Sequence, residues 1–316
     1  YHGSICGADV PDVPVFDLDS TETMLPVLAE SQGYETFLVG KWHMGHPRPS
    51  YQGFGALFGP HSIGFDHWAS GVGSGSSCWV PGNVLDDGEF RPRMGHPSSD
   101  QLDTYQALMA HADQLGNPMF GVLSFTDAHS PWTTPPGFPI ALTDAEKYRQ
   151  EIEYLDQKIG QLMMDVGPDD WLIVVGDNGT PEEVSPVQGR SKLTVYERGI
   201  RIPLIIKGPG FTPGSSSSLP VSVVDIMATV GDLLGVPTDT DGESLLSPSR
   251  GWVFASNPTY NFGEGRHAIV EERWKLIRQS GGEEFYDLQV DPGELTPLPL
   301  TGPDYERLLS RMDDIL

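Results

Sequence analysis

Trp171-Leu172-Ile173-Val174-Val175-Gly176-Asp177-Asn178-Gly179 is the stretch on which the fold is decided. Five apolar residues without alternation predict a strand buried on both faces, and the residues after them form a tight polar turn. The same design recurs twice upstream. Thr36-Phe37-Leu38-Val39 runs into Gly40-Lys41-Trp42-His43-Met44-Gly45, and Met119-Phe120-Gly121-Val122-Leu123-Ser124-Phe125 runs into Thr126-Asp127-Ala128-His129-Ser130-Pro131. Pro203-Leu204-Ile205-Ile206 is a further buried run.

Helical patterns lie between these runs. Asp19-Ser20 can cap a helix through Met24, Leu25 and Leu28 that Gly33 ends. Ser99 can cap a second, with Leu102, Tyr105, Leu108, Met109 and Ala112 on one face. Thr143 and Glu146 form a capping box for a third, which carries Tyr148, Ile152, Leu155, Ile159, Leu162 and Val166 and stops at Gly167-Pro168. Another covers Val224 to Leu234. Strands alternating with helices predict an α/β fold, a mostly parallel sheet between helices. The Gly-, Ser- and Pro-rich stretch from Ser50 to Ser98 predicts long ordered loops. Beyond Ser249 the texture changes. His267 to Val270, Trp274 to Arg278 and Glu284 to Leu288 are β-like, with a hairpin signal at Gly281-Gly282, and a helix from Asp304 to Leu316 closes the chain. We therefore divide the sequence into an α/β domain, 1–249, and a small C-terminal subdomain with an antiparallel sheet, 250–316.

Composition narrows the partners. Asp and Glu number 44 against 19 Lys and Arg, a formal charge of −25. Such a surface repels nucleic acid and anionic membranes, so an anionic substrate needs a locally basic pocket. An acidic, lysine-poor surface suits a salt-adapted source and an ordinary acidic enzyme alike. No apolar run reaches the eighteen residues of a membrane span. The two cysteines, Cys6 and Cys78, show neither metal-ligand spacing nor a disulfide framework.

In open parallel sheets, ligands bind beyond the carboxyl ends of the strands. Three strands there deliver Lys41 and His43, His129, and the pair Asp177-Asn178 toward one edge. Lys41 and His43, two apart, point the same way in extended backbone and can donate to an oxyanion or a leaving oxygen. Asp177 and Asn178 are adjacent hard oxygen ligands, suited to Ca²⁺ or Mg²⁺, and a divalent ion would polarise sulfate or phosphate oxygens. Lys192, in Gly189-Arg190-Ser191-Lys192, supplies another positive charge. Each feature has an ordinary alternative. Asp-Asn-Gly is a common turn, Lys41 and His43 suit a solvated strand end, and His129 can cap a loop. Asp127 shapes its turn, Trp132 packs, and His46, His61, His67, His96 and His111 read as loop or surface histidines. The joint pattern, an anionic tetrahedral group met by cations and a metal, carries the weight.

At these residues the chain resembles a known family. Gly40-Lys41-Trp42-His43-Met44-Gly45 resembles the sulfatase Gly-Lys-Trp-His-Leu-Gly motif, and His129-Ser130-Pro131-Trp132 its His-x-Pro segment. Val175-Gly176-Asp177-Asn178-Gly179 resembles the Ser-Asp-Asn-Gly metal turn. The run from Ser191 to Pro203 is similar to the Lys-Gly-x-x-Tyr-Glu-Gly-Gly-Ile-Arg-Val-Pro stretch. Arg273-Trp274-Lys275-Leu276-Ile277, Phe285-Tyr286-Asp287-Leu288 and Asp291-Pro292-Gly293-Glu294 look like the C-terminal signature. The matches come in order and span nearly the whole chain.

The resemblance implies an alkaline-phosphatase-like fold and a formylglycine-dependent sulfuric ester hydrolase. Asp177 and Asn178 would hold a divalent metal, usually Ca²⁺, with Mg²⁺ or Mn²⁺ as alternatives. Lys41 and Lys192 would bind the sulfate. His129 would protonate the leaving alcohol, with Lys192 beside it. His43 would hold the hydrated formylglycine and help eliminate sulfate from it. Glu197 and Arg201 would fix the loop behind Lys192. The substrate would be a small-molecule or glycan sulfate ester.

One departure matters. Family members open with a strand ending in an Asp-Asp metal pair, followed by Cys-x-Pro-Ser-Arg or its serine version. Neither is present, and Tyr1-His2-Gly3 resembles the region just after them. The expectation is a sequence lacking its first strand, that strand's helix and the nucleophile turn, inactive by itself. A phosphate or phosphonate ester hydrolase on the same scaffold, and a non-catalytic binder of sulfated ligands, are the alternatives.

Overall fold

Thr36 to Val39 run without a polar break except Thr36, whose hydroxyl donates to the Gly64 carbonyl at 2.7 Å. This run is the fully buried centre of the fold: Thr36 and Phe37 are inaccessible and Leu38 and Val39 nearly so. The computed structural model describes residues 23–41, 63–71, 83–86, 89–92, 95–257 and 265–316. His43, Cys6, Cys78, His46, His61 and the expected Asp19-Ser20 cap lie outside them. The chain forms two compact units, Tyr1–Asp165 and Val166–Leu316.

In the first unit, helix α1 (Leu25–Ser31) leads into strand β1 (Glu35–Gly40). β1 sits between β2 (His67–Gly71) and β5 (Met119–Ser124) and is parallel to both. Two short strands, β3 (Asn83–Asp86) and β4 (Glu89–Pro92), extend the sheet beyond β2 in antiparallel sense, giving the order β4-β3-β2-β1-β5. Three strands thus occupy the Ser50–Ser98 stretch, where composition predicted only loops. Strands of four or five residues among glycines carry too few side chains to show a period, and pairing in series, β2 on β1, β3 on β2 and β4 on β3, supplies what propensity lacks. Leu38 and Phe65 pack with Ile63, Trp68, Phe120 and Val122. Helices α2 (Pro97–Leu115) and α3 (Asp144–Asp165) complete the unit. The capping box at the start of α3 forms as expected: Glu146 N–H donates to the Thr143 hydroxyl oxygen at 3.2 Å, and Thr143 N–H to the Glu146 carboxylate at 3.1 Å. At α2 the helix starts earlier than predicted, with His96 rather than Ser99 at the cap and Pro97 in the first turn.

In the second unit, β6 (Leu172–Val175) pairs with β7 (Leu204–Lys207). The pairing is antiparallel, Val174 opposite Ile205, and among the described residues it is a two-stranded sheet. The apolar runs predicted strands buried on both faces, yet Val175 is 39% and Ile205 58% exposed. A short apolar run states that a strand forms but not in which direction its neighbour runs. Helices α4 (Glu197–Ile200) and α5 (Asp225–Leu234) flank β7 in sequence.

The C-terminal part is the expected antiparallel sheet, four strands in the order β11-β10-β9-β8. These are β8 (Trp252–Asn257), β9 (Arg266–Glu271), β10 (Trp274–Gln279) and β11 (Gly282–Asp287), followed by α6 (Pro303–Ile315). Ile269, Leu276 and Phe285 pack against Leu308 and Met312 of α6. Ala268, Ile277 and Tyr286 pack instead with Val195 and Tyr196 from the α4 approach. Alternation along each strand therefore serves two cores.

Candidate active site

Parallel pairing brings the first two candidate residues to one edge. β1 and β5 end in register, Gly40 opposite Ser124, and Lys41 N–H then donates to the Ser124 carbonyl at 2.7 Å. Gly40 has φ +109°, and a Cβ there would lie 2.0 Å from the Ser124 oxygen, so only glycine fits between the strands. Lys41 and the loop bearing His129 therefore leave the sheet side by side.

His129 is half-buried, its N–H bonded to the Thr126 carbonyl at 3.0 Å. Its Nδ1 lies 2.7 Å from the Ser130 carbonyl oxygen. A carbonyl only accepts, so Nδ1 carries the hydrogen and Nε2 is the nitrogen left to exchange a proton. The Asp127–Ala128 and Ser130–Pro131 peptide bonds are cis. The indole of Trp132 donates to the Ala128 carbonyl at 3.0 Å and stands edge-on to Tyr148, a packing role as expected.

Behind this loop lies a buried polar wall that the sequence did not reveal. The Asp127 carboxylate accepts from the Ser98 hydroxyl and lies 3.5 Å from His96 Nδ1. Both side chains are almost inaccessible, at 5% and 1%. His96 is thus no surface histidine; it packs edge-on to Tyr154, whose hydroxyl meets that of Ser99. Glu151, on α3, is 1% exposed and accepts the Thr133 N–H at 2.6 Å. Burial, with the neighbouring negative charge of Asp127, pushes its carboxyl up to about 7. A Glu on an otherwise amphipathic helix reads in sequence as part of the solvated face, so no local signal marks it.

The second unit brings the other three candidates together. Asp177-Asn178-Gly179-Thr180 follows β6, and Lys192 N–H donates to the Thr180 carbonyl at 2.8 Å. On its other side the turn is bonded through Gly179 N–H to the Gly199 carbonyl at 3.0 Å and through Thr180 N–H to that of Arg198 at 2.8 Å. A Cβ on Gly179 would sit 2.0 Å from the Arg198 oxygen. Glu182 accepts from Gly189 N–H at 2.7 Å and from the Ser191 hydroxyl, which lowers its carboxyl below the usual range and ties down the Lys192 approach.

Beneath this loop is an ion cluster. Lys275, inaccessible on β10, lies 2.9 Å from Glu197 and 2.8 Å from Glu294. Glu294 also accepts the Glu197 N–H at 2.6 Å. Arg201 lies 3.7 Å from Glu197 on the exposed side. Glu197 and Arg201 are thus structural neighbours of the Lys192 loop.

Metal fit can be judged from the donors. Asp177 is exposed and Asn178 half-buried. The Asn178 amide nitrogen donates to the Gly179 carbonyl at 3.0 Å, which leaves Oδ1 as its ligand atom. Two adjacent hard oxygens on a fixed turn fit a hard cation, although Ca²⁺ takes roughly six to eight. Among the described residues no group of three or more His, Cys, Asp and Glu side chains is arranged to hold a metal. By themselves, these two oxygens fall short of the ligand number such a cation takes.

Comparison with known proteins agrees with this architecture. The Sulfatase family profile matches residues 7–236. The chain belongs to the sulfatase family. Human N-acetylgalactosamine-6-sulfatase is 23% identical over 379 residues, covering 98% of this chain and 70% of that protein. Choline-sulfatase of Rhizobium meliloti is 25% identical over 342 residues, 84% of this chain and 65% of the other. Among solved structures, BT4656 in complex with its substrate D-glucosamine-2-N,6-O-disulfate superimposes with a TM-score of 0.75 at 18% identity, covering 95% of this chain and 82% of that one. PsFucS1 sulfatase from Pseudoalteromonas sp. gives 0.69 at 18% identity, with 98% and 74% covered. The fold is accordingly the alkaline-phosphatase-like α/β class with a small C-terminal antiparallel sheet. Among the described residues, no helix is long and apolar enough to cross a membrane.

Proposed function

We propose that the full-length protein hydrolyses a sulfate ester, with Asp177 and Asn178 contributing ligands to a divalent metal, most suitably Ca²⁺. The observation that supports this reading is the 2.8 Å bond between Lys192 N–H and the Thr180 carbonyl, which ties the backbone of the Lys192 loop to the turn that carries Asp177 and Asn178. Lys192 and Lys41 bind the sulfate. Each offers three N–H donors on a flexible stem, suited to a tetrahedral anion. His129, with Nδ1–H committed to Ser130, acts as proton donor in its imidazolium form, passing the Nε2 proton to the leaving alcohol. His43, in the Lys-Trp-His motif, is assigned to the nucleophile by its resemblance alone. The metal, when bound, polarises the sulfate oxygens. No stretch of this sequence carries Cys-x-Pro-Ser-Arg. In this reading the nucleophile is a formylglycine, which accepts the sulfuryl group. The catalytic domain covers 1–249, with 250–316 as its C-terminal subdomain.

Sulfated glycans are the first substrates to try. The human relative is named for a sulfated amino sugar, and BT4656 is described with a glucosamine disulfate as substrate. Small alcohol sulfates follow, given the choline-sulfatase relative. The test is the full-length protein, co-expressed with a formylglycine-generating enzyme and assayed on an aryl sulfate and an aryl phosphate. Chelator-sensitive sulfate release, with Ca²⁺ raising the melting temperature of the wild type but not of Asp177→Ala, supports the reading. Preferential phosphate release moves the protein to the phosphate-ester branch of the scaffold. Sulfated ligands bound without turnover, and equally well after chelation and in Lys41→Ala, would make it a binder.

A further inference from the structure

The loop from Thr126 to Thr133 carries His129 near its middle and is pinned at both ends by buried groups on helices. At its start, Thr126 N–H meets the Gln101 side-chain oxygen at 3.3 Å, and Asp127 takes the Ser98 hydroxyl; Ser98 and Gln101 both belong to α2. At its end, Thr133 N–H meets Glu151 of α3 at 2.6 Å, with the Thr133 hydroxyl 3.4 Å from the same oxygen. We propose that Glu151 is a positioning residue for catalysis, holding the far end of this loop so that the His129 ring keeps its Nδ1 bond to Ser130 and presents Nε2. The proposal rests on the assignment of His129 as proton donor.

Glu151 is an expensive choice for a mere packing position. A carboxylate on a nearly inaccessible side chain must be desolvated, and the cost shows as a carboxyl raised to about 7. What it brings is a stronger acceptor than an amide or hydroxyl, on a helix of 22 residues rather than on a loop. The groups around it also belong to the loop it holds. Asp127 from the segment after β5 acts on its charge. His96, before α2, faces Asp127, and Tyr148 and Tyr154 on α3 pack against Trp132 and His96. Catalytic geometry is unforgiving: a displacement of about 1 Å at a reacting group costs on the order of a hundredfold in rate.

The experiment compares wild type, Glu151→Ala and Glu151→Gln in the full-length protein. Two aryl sulfates are used, one with a poor leaving group that needs a proton and one with a good leaving group that does not. Glu151→Ala is expected to lower kcat on the poor leaving group about tenfold or more, with KM within about threefold and little change on the good one. Glu151→Gln, which keeps an acceptor for Thr133, should restore kcat to within about threefold. In parallel, ¹⁵N shifts of the His129 ring report its tautomer without any turnover. The wild type and Glu151→Gln should be Nδ1-protonated, and Glu151→Ala a mixture. If the wild type hydrolyses no sulfate ester, the functional reading fails while the ring shifts still decide the positioning role. A Glu151→Ala protein with an unchanged His129 tautomer, or an unchanged ratio of the two substrates' kcat values, overturns the proposal. Should Glu151→Ala not fold, Glu151→Asp takes its place: its side chain, one methylene shorter, cannot reach Thr133 equally well, and the same two criteria apply.

Discussion

A histidine that commits one nitrogen to a carbonyl is a one-proton device, and His129 is bound in this way to Ser130. Its removal should matter in proportion to how badly the leaving alcohol needs a proton. For His129→Ala we expect kcat to fall about 10² to 10⁴-fold on a poor leaving group and far less on a nitrophenyl-type one, measured as a leaving-group series. A slope equal to that of the wild type would remove His129 from the proton transfer. Glu151 makes a separate prediction about stability. Its carboxyl lies near 7 in the folded protein, raised from 4.5. The folded state therefore binds the proton more tightly than the unfolded chain, so this group's contribution is complete below about pH 4 and is lost as pH rises through about 7. The loss is on the order of 3 kcal/mol. Thermal melts from pH 5 to 8 should fall more steeply for wild type than for Glu151→Gln, and parallel curves would show that Glu151 does not titrate in this range.

Among the elements, the segment from β6 to α4 is held chiefly by its own backbone. Thr180 bonds to both Lys192 and Arg198, so the Asp177-Asn178 turn and the Lys192 loop move as one piece. This piece rests on Lys275, whose two carboxylate partners come from α4 and from the turn at Glu294. Lys275→Met would leave Glu197 and Glu294 facing one another without a buried cation. Breaking such a pair from one side costs about 3–5 kcal/mol. The Glu294 carboxyl, which burial already raises, would lose the cation that lowers it, so the variant should be least stable at high pH and recover as the pH is lowered. A denaturant titration at pH 5 and pH 8 measures this, and equal losses at both would show that the cluster is not electrostatic in origin. The strands differ in how legible they were. β1 and β5 announced themselves by continuous apolar runs, and the capping box of α3 by Thr143 and Glu146. β3 and β4 were hidden, because four residues carry too short a period to read.

At the scale of the whole molecule, the charge of −25 dominates. Carboxylates crowd the surface, and many of the arginines already serve local partners: Arg250 with Asp225, Arg273 with Asp287, Arg311 with Glu271. Self-repulsion of this size destabilises the compact state, and salt screens it over about 10 Å at 0.1 M. The melting temperature should therefore rise between about 0.05 and 0.5 M NaCl. A fall would mean that the local ion pairs outweigh the net charge. The same field acts on anionic substrates, and under the proposed function Lys41 and Lys192 would capture them against it.

The sequence by itself determined the order of the main strands and helices, the polar turns at their ends and the motifs that mark the family. These are local properties, written in the period of apolar residues, in capping chemistry and in the spacing of a few side chains. Tertiary structure alone decided that β6 and β7 run antiparallel and that Asp127, His96 and Glu151 form one buried wall behind His129. Strand direction depends on partners 29 to 35 residues away, since Leu172 pairs with Lys207 and Val175 with Leu204. The state of a carboxylate depends on the dielectric around it, which α2, α3 and the β5 loop create only by packing together. A glutamate in a helix looks the same in sequence whether water or protein covers it.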